Sequence, residues 1–430
     1  MRYKSMNEFD KIFGYEKEKA EMSRLCDALR NRKRYESLGI TLPKAILLYG
    51  EPGLGKTLMA KAFIAQSNRK IFHCKKNRSN GEFVEEIKIT FENAIKDAPS
   101  IIFFDDMDKF AEDNLQQNCN KEEFVTIQTG LEDIGANDVF VIATANDIYN
   151  LPNSLLRPGR FGKKIQFNAP SFEDSVKIIQ HFLSCKKVAL DVRPESLAHI
   201  LGGRSCAVLE SVINEAGMYA AYENAPEITL SHIREAVSTV LIERERISDN
   251  EAIKPIIAYH EAGHAVALLL AHHDIGCLAI GKCGADGLGV GVCTLSRQGK
   301  PFTVKEIKDH IIMLLSGKAG SELQFSQIDT GVERDVEEAM SFIKDNMQKS
   351  LLYGFEHCYT TERYDEWQSF IQIDKNQVKA VQLLEQYYAE ARVLLQQHKD
   401  LLDAIADELL KKEILLYDDI VRIAERYQID

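Results

Sequence analysis

No apolar run in the chain approaches the roughly 20 residues that a bilayer-spanning helix needs. The longest, around "AVALLLA" (265–271), stops far short, and the opening "MRYKSMNEFDK" holds no apolar signal region. A basic excess is missing too. The 53 Lys and Arg are outnumbered by 65 Asp and Glu, for a net charge of −12. Phosphate backbones are gripped by clustered cations, so no nucleic-acid partner is expected. The short run "RNRKRY" (30–35) reads as the solvated face of a helix. Nine cysteines are present, an odd number, with no CxxC pair. Cys277, Cys283 and Cys293 lie loosely together but without zinc-knuckle spacing. They read as small core residues in a reducing compartment. No internal repeat and no low-complexity tract interrupts the chain. The expectation is a soluble, cytoplasmic protein of two or three domains, since 430 residues exceed one small core.

From residue 9 to about 170, apolar runs alternate with helical patterns: "AILLY", a helix from Gly55, "KIFHC", a helix near 84–97, "SIIFFDD" and "VFVIATAN". Strands each followed by a helix imply an α/β unit with a parallel sheet buried on both faces. From about 172 to 243 the pattern is helical throughout. The charged stretch "ERERISDNEA" (243–252) lacks apolar periodicity and marks a boundary. Residues 253–430 are mainly helical, interrupted by the Gly-rich "LAIGKCGADGLGVGVCTLS" (278–296), which reads as a small strand or hairpin. Amphipathic helices with apolar residues at i, i+3 and i+4 fill the last fifty residues. The expected division is 1–170 for the α/β part, 171–245 for a helical part and 250–430 for the rest.

The stretch Gly50-Glu-Pro52-Gly53-Leu-Gly55-Lys56-Thr57 fits GxxxxGK[ST] directly after a strand and at the opening of a helix. Glycines let backbone N–H groups curl around phosphate oxygens, and the helix N-terminus adds positive partial charge. In that reading Lys56 reaches the β- and γ-phosphates of ATP and the Thr57 hydroxyl binds Mg²⁺. "SIIFFDD" delivers Asp105 to the sheet's edge, where it holds Mg²⁺ through water. Asp106 follows, at the position of a carboxylate that polarises the attacking water. An apolar strand ending in Asp-Asp is a weak signal alone and a strong one beside the loop. Asn146 ends the strand "VFVIATAN", placed to sense the γ-phosphate. "LLRPGRFGKK" then carries Arg157 and Arg160.

This order of elements is similar to an AAA-type ATPase module with its helical lid, over residues 9–245. The resemblance implies that Arg157 and Arg160 act in trans on a neighbour's ATP, and so implies a ring, usually a homo-hexamer.

"AYHEAGHAVALLLAHH" (258–273) puts His260 and His264 one turn apart on one helix face, both able to reach a single ion. Glu261 beside them can take a proton from a water acidified by Zn²⁺. A buried helix with two satisfied histidines fits the same pattern. His272 lies eight residues after His264, about two turns on and beyond reach of one metal. The stretch "LSGKAGSELQFSQIDTGVERDVEEAMSFI" (315–343) resembles the second signature of FtsH-type AAA proteases. There an Asp after a TG turn completes the zinc site; the matching position is Asp335. By itself Asp335 is one more charge among Glu333, Glu337 and Glu338. The resemblance to FtsH-type proteases covers nearly the whole chain, from about residue 9. It implies an ATPase, its lid and a helical zinc peptidase acting on protein or peptide substrates. The strand-like 287–296 falls where the family has an edge strand that takes up extended peptide.

Three departures from that pattern stand out. Members of that family begin with transmembrane helices and this sequence opens almost directly at the ATPase, so it is either a natural soluble member or one whose anchor has been cut away; "MRYKSMNEF" reads as a native start, which favours the first. The acidic strand ends Asp105-Asp106 where the family has Asp-Glu, and Asp is one methylene shorter, so ATP binding is a safer expectation than fast hydrolysis. The stretch "CKKNRSNGEFVEE" (74–86), matching the family's pore loop, is short and polar. Phe83 is its one aromatic, and packing into the following helix is an alternative for it; Lys75, Lys76 and Arg78 are its pore-facing candidates. Three readings follow: an ATP-driven zinc endopeptidase, a ring assembled by ATP that cleaves loosely folded chains or peptides without active unfolding, and a non-proteolytic remodelling factor.

Overall fold

The computed structural model describes residues 7–76, 80–111, 122–135, 137–241, 253–280, 290–291, 303–325, 332–349 and 366–429. The chain forms two compact units, residues 1–181 with 204–210 and residues 182–203 with 211–430.

The first unit begins with α1 (Glu16–Arg30) and α2 (Arg32–Glu36), then β1 (Ala45–Tyr49), α3 (Lys56–Ser67), β2 (Lys70–Cys74), α4 (Asn80–Lys96) and β3 (Ser100–Phe104). It continues through α5 (Glu122–Asp133), β4 (Val139–Ala145), β5 (Lys163–Gln166) and the start of α6 (Phe172–Ser184). The five strands form one parallel sheet in the order β2-β3-β4-β1-β5. Runs such as "SIIFF" and "VFVIATA" are apolar but for Ser100 and Thr144 because every position is buried, on both faces of the sheet. The order reverses at β1, which lies between β4 and β5. In open parallel sheets that crevice, at the strands' carboxyl ends, is where ligands sit. The C-terminal ends of β3, β4 and β1 are therefore side by side.

The second unit contains α7 (Pro194–Ile200), the rest of α8 (Cys206–Tyr222), α9 (Leu230–Val240), α10 (Lys254–Leu270), β6 (Cys277–Ala279), β7 (Val290–Gly291), α11 (Val304–Phe325) and α12 (Val332–Lys349). Its last part is α13 (Glu366–Gln397), α14 (Lys399–Lys412), β8 (Ile414–Leu416) and α15 (Tyr417–Arg426). Helix α10 is buried at every residue from Ala258 to Leu268. It can be apolar nearly all round because α11 and α14 enclose it. A Cβ on Gly263 would lie 2.1 Å from the Ser316 carbonyl oxygen, and one on Gly320 would lie 2.4 Å from that of Tyr259. The backbones of α10 and α11 touch where side chains are missing. The strand expected in 278–296 exists in part: β7 pairs antiparallel with β6. The other partner of β6 is β8, which pairs from 135 or more residues away and had no periodic signal of its own. The rest of 281–300, with Cys283 and Cys293, lies outside the described residues. Among the described residues no helix is long and apolar enough to cross a membrane.

Gly130 of α5 lies against Phe91 of α4, where an added Cβ would approach the ring to 2.4 Å. Phe91 is itself packed on Phe104 of β3. Helix propensity favours Gly130→Ala by about 1 kcal/mol, whereas overpacking costs about 1–3 kcal/mol. The expected outcome is a net loss of stability in urea denaturation; a gain would show that the ring moves freely.

Candidate functional site

The phosphate loop joins β1 to α3, and its glycines are there for backbone reasons. Gly50 has φ +142°, and a Cβ on it would sit 2.0 Å from the Phe167 carbonyl oxygen. Gly53 has φ +77° and faces Ala207 and Ser205, whose segment hydrogen-bonds the loop through Ala207 N–H to Gly53 O at 3.1 Å. Gly55, at φ +85°, caps α3 and faces open space. Pro52 is exposed on the loop's outer side. Lys56 is buried, and its Nζ donates to Gly50 O (2.6 Å), Glu51 O (2.7 Å) and Asn146 Oδ1 (2.9 Å). Burial pulls its pKa below the ordinary lysine value, against the opposing charges of Asp106, Asp108, Asp105 and Glu51. The ammonium therefore holds a dense set of acceptors in the place where a phosphate would compete for it.

Asp105 stands at the end of β3, buried, its Oδ1 accepting hydrogen bonds from Thr57 Oγ1 (2.9 Å) and Thr144 Oγ1 (2.8 Å). Asp106 adopts φ +54°, and its N–H donates to Thr144 Oγ1 at 2.9 Å. Thr144, one strand over on β4, thus braces both acids, and sequence reading passed over it. It also passed over Asp108. This carboxylate is buried, accepts the Asp147 N–H at 3.3 Å through Oδ2, and keeps Oδ1 without a hydrogen-bond partner among the described residues. The signal was present in "DDMD", since a carboxylate two residues after the acidic pair returns to the same side of a 3-10 turn. An unsatisfied buried carboxylate oxygen near a lysine and paired acids suits a site that takes Mg²⁺ with a nucleotide.

The two arginines of RPGRF part company. Arg160 is tied to its own unit, donating to Gln128 Oε1 (2.9 Å), Ser154 O (2.7 Å) and Glu132 Oε1 (2.7 Å). Arg157 is exposed, and its side chain makes no hydrogen bond or ion pair among the described residues. Of the stretch 74–86, Phe83 is fully buried, edge-on to Phe110 with centroids 4.8 Å apart. Lys76 donates to Phe110 O at 3.1 Å, and Lys75 turns toward Asp105 at 3.9 Å. Phe83 is thus a core residue, whereas Lys75 stays exposed and Lys76 half-buried; Arg78 lies outside the described residues.

In the second unit, one turn of α10 points His260 and His264 at the first turn of α12. The Nε2 atoms lie 3.0 Å apart, and Asp335 Oδ2 lies 3.0 Å from that of His260 and 3.2 Å from that of His264. All three side chains are buried. A tetrahedral ion with ligands at about 2.0–2.2 Å keeps them roughly 3.3–3.5 Å apart, so the trio fits zinc closely and leaves a fourth position open. His264 Nδ1 is 2.8 Å from Met313 O, a contact that fixes the ring and aims Nε2. Asp335 turns inward because it shares a stripe with Val332, Ala339 and Ile343, all buried, whereas Glu333 and Glu337 are exposed. That spacing was a usable sequence signal: an acid in the apolar register of an amphipathic helix. Glu261 is buried next to His260, and His272 is exposed beyond the helix end. A Cβ at Gly317 of α11 would lie 2.4 Å from His264 Nε2 and 2.7 Å from His260 Nε2. Only a glycine leaves room for an ion there.

Two family models match the chain. One describes the ATPase family associated with various cellular activities (AAA), over residues 46–169, and the other peptidase family M41, over residues 245–423. An AAA-type ATPase followed by a peptidase is thus the class that fold and sites define. ATP-dependent zinc metalloprotease FtsH 4 of Synechocystis sp. is 30% identical over 98% of this chain and 72% of its own length. ATP-dependent zinc metalloprotease FtsH of Helicobacter felis is 29% identical over 98% and 70%. FtsH 2 of Thermoanaerobacter sp. is 30% identical over 97% and 82%. The chain belongs to the FtsH family of ATP-dependent zinc metalloproteases.

Gly317→Ala should lower zinc affinity at least about tenfold, as a small displacement of the ligands does, in competition with a chromophoric chelator. Unchanged affinity would place the ion elsewhere. Protons give a second test. Without metal, burial opposes the charged His264 ring, but the Asp335 hydrogen bond and charge, with Glu261, push its pKa up to about 9. At Asp335 the hydrogen bonds and charge of His260 and His264 outweigh burial and hold it well below the carboxylate range. The raised His264 value stabilises the metal-free fold fully below about pH 6.5 and is lost as pH rises through about 9. Zinc must displace that proton, so its apparent affinity should climb about tenfold per pH unit and level off above about 9. A flat profile from neutrality upward would contradict the pairing.

Proposed function

We propose that the chain is an ATP-dependent zinc metalloendopeptidase that works as a homo-hexameric ring on unfolded or partly folded protein substrates, with ATP, Mg²⁺ and Zn²⁺ as cofactors. The observation that carries this reading is the convergence of His260, His264 and Asp335 on one point, in a chain whose β1–α3 loop is built for phosphate. Its working division is an ATPase α/β part over 1–170, a lid over 171–245 and a peptidase over 250–430.

At the nucleotide, Gly50, Pro52, Gly53 and Gly55 shape the loop, and Lys56 carries its charge to the β- and γ-phosphates. Thr57 and Asp105 already share a hydrogen bond, which supports a joint role in holding Mg²⁺. Asp106 orients the attacking water. Asn146, bonded to Lys56, reads the γ-phosphate. Arg157, exposed, is the arginine able to reach a neighbour's ATP; Arg160 braces the loop that presents it.

At the peptidase centre, His260, His264 and Asp335 hold zinc, which when bound acts as a Lewis acid and acidifies water. Glu261, one residue from a ligand and buried, takes the proton of the attacking water and returns it to the departing amine. Gly317 keeps the space in front of the ligands clear. An ATPase and a peptidase in one chain make sense together when the first delivers substrate to the second.

Cleavage of a loosely folded reporter should require ATP, fail with a non-hydrolysable analogue and fail without nucleotide. Equal cleavage with the analogue would mean that nucleotide only assembles the ring. Glu261→Gln should cut proteolysis on the order of 10²–10⁴-fold while zinc content and ATPase rate stay at wild-type level. Lys56→Ala should stop degradation of the reporter, and degradation that survives it would sever the link to ATP.

A further inference from the structure

A continuous set of contacts runs from the phosphate loop to a lysine outside any nucleotide motif. Thr57 Oγ1 donates to Asp105 Oδ1 at 2.9 Å, and Thr144 Oγ1 donates to the same oxygen at 2.8 Å. Thr144 Oγ1 accepts the Asp106 N–H at 2.9 Å. Asp106 Oδ2 then meets Lys109 Nζ at 3.0 Å. Lys109 belongs to the 3-10 turn Met107–Ala111, and its own N–H donates to Asp106 O at 3.0 Å. Backbone and side chain of residue 109 both return to residue 106. Asp106 is also held at φ +54°, a region that non-glycine residues occupy only when the surroundings impose it.

We propose that Lys109 is a positioning residue for ATP hydrolysis: it clamps one oxygen of the short Asp106 carboxylate so that the other is presented to the attacking water. The proposal rests on Asp106 being the carboxylate that orients this water. A glutamate can reach a water by extending its side chain; an aspartate at the same place must be aimed, since it has one rotatable bond fewer. Two restraints aim it, Thr144 on the backbone and Lys109 on the carboxylate. Charge acts in the same direction. Asp105, Asp106 and Asp108 all bear on Lys56, and the Lys109 ammonium brings a second positive charge to Asp106. The pair is half exposed on the lysine side, and such pairs add little to stability. Its effect belongs to the rate, where a misplacement of about 1 Å can cost on the order of 10²-fold.

The test is steady-state ATPase of the full chain carrying Lys109→Ala, Lys109→Met or Lys109→Arg. Alanine and methionine should lower kcat roughly tenfold while KM and the affinity for a fluorescent ATP analogue stay within about twofold, and arginine should restore most of the rate. Zinc-dependent cleavage of a short peptide should be unchanged, which a general loss of structure would not allow. In an Asp106→Glu background the longer carboxylate no longer needs aiming, and Lys109→Ala should then cost less than about twofold. An unchanged or raised kcat in Lys109→Ala would overturn the proposal, as would an equal loss with Glu at 106. Asp106→Asn separates the two ideas. Full hydrolysis in that variant removes Asp106 itself as the water-orienting group; lost hydrolysis there, with Lys109→Ala at wild-type rate, removes only Lys109.

Discussion

Backbone contact at glycine is the constraint on which the peptidase centre depends. Helix α10 carries His260 and His264, and α11 crosses it so closely that Gly263, Gly317 and Gly320 have no room for a Cβ. Were the helices held apart by side chains, Met313 O could not fix the His264 ring at 2.8 Å, and the space before both Nε2 atoms would change. The close crossing also buries α10 from Ala258 to Leu268, giving His260 and His264 a dry setting where a carboxylate and an imidazole interact strongly. The phosphate loop uses glycine for the same purpose. Gly50 and Gly53 let it lie against the Phe167 carbonyl and the segment at Ser205 and Ala207.

Both centres also assemble charge in places where charge is costly. Lys56 and Asp105 are buried in one, and His260, Glu261, His264 and Asp335 in the other. Neither set is tolerable unless each member is held by an opposite charge or a hydrogen-bond partner. In the nucleotide site the hydroxyls of Thr57 and Thr144 serve the acid and the Asn146 amide oxygen serves the lysine. In the peptidase site Asp335 is shared by two histidines. These arrangements hold the groups in register, so a ligand meets side chains already aimed.

Much of the first unit was legible because β1, β3 and β4 are buried along their length and read as mainly apolar runs, so their ends stand out. The loop after "AILLY", Asp105 after "SIIFF" and Asn146 after "VFVIATA" follow from strand ends alone. Thr144 and Asp108 were not legible, since a threonine in a strand and a third acid in an acidic turn have ordinary explanations. Their significance comes from the neighbouring strand. Phe83 shows the converse: a lone aromatic in a polar stretch has a core place open to it, and the structure puts it there against Phe110.

Sequence by itself determined most of the helices and the central strands of the first unit, where the phosphate loop lies, and that His260 and His264 share a helix face. Those are local matters, set by periodicities of about 2 and 3.6 residues and by glycine's freedom at positive φ. Tertiary structure alone decided what meets across long separations. It put Asp335 between two histidines some 70 residues upstream, β8 beside β6, Thr144 under Asp105, and Arg160 against α5 while Arg157 stays exposed. Such pairings depend on how helices and strands pack in three dimensions, and no local pattern in a single chain encodes them.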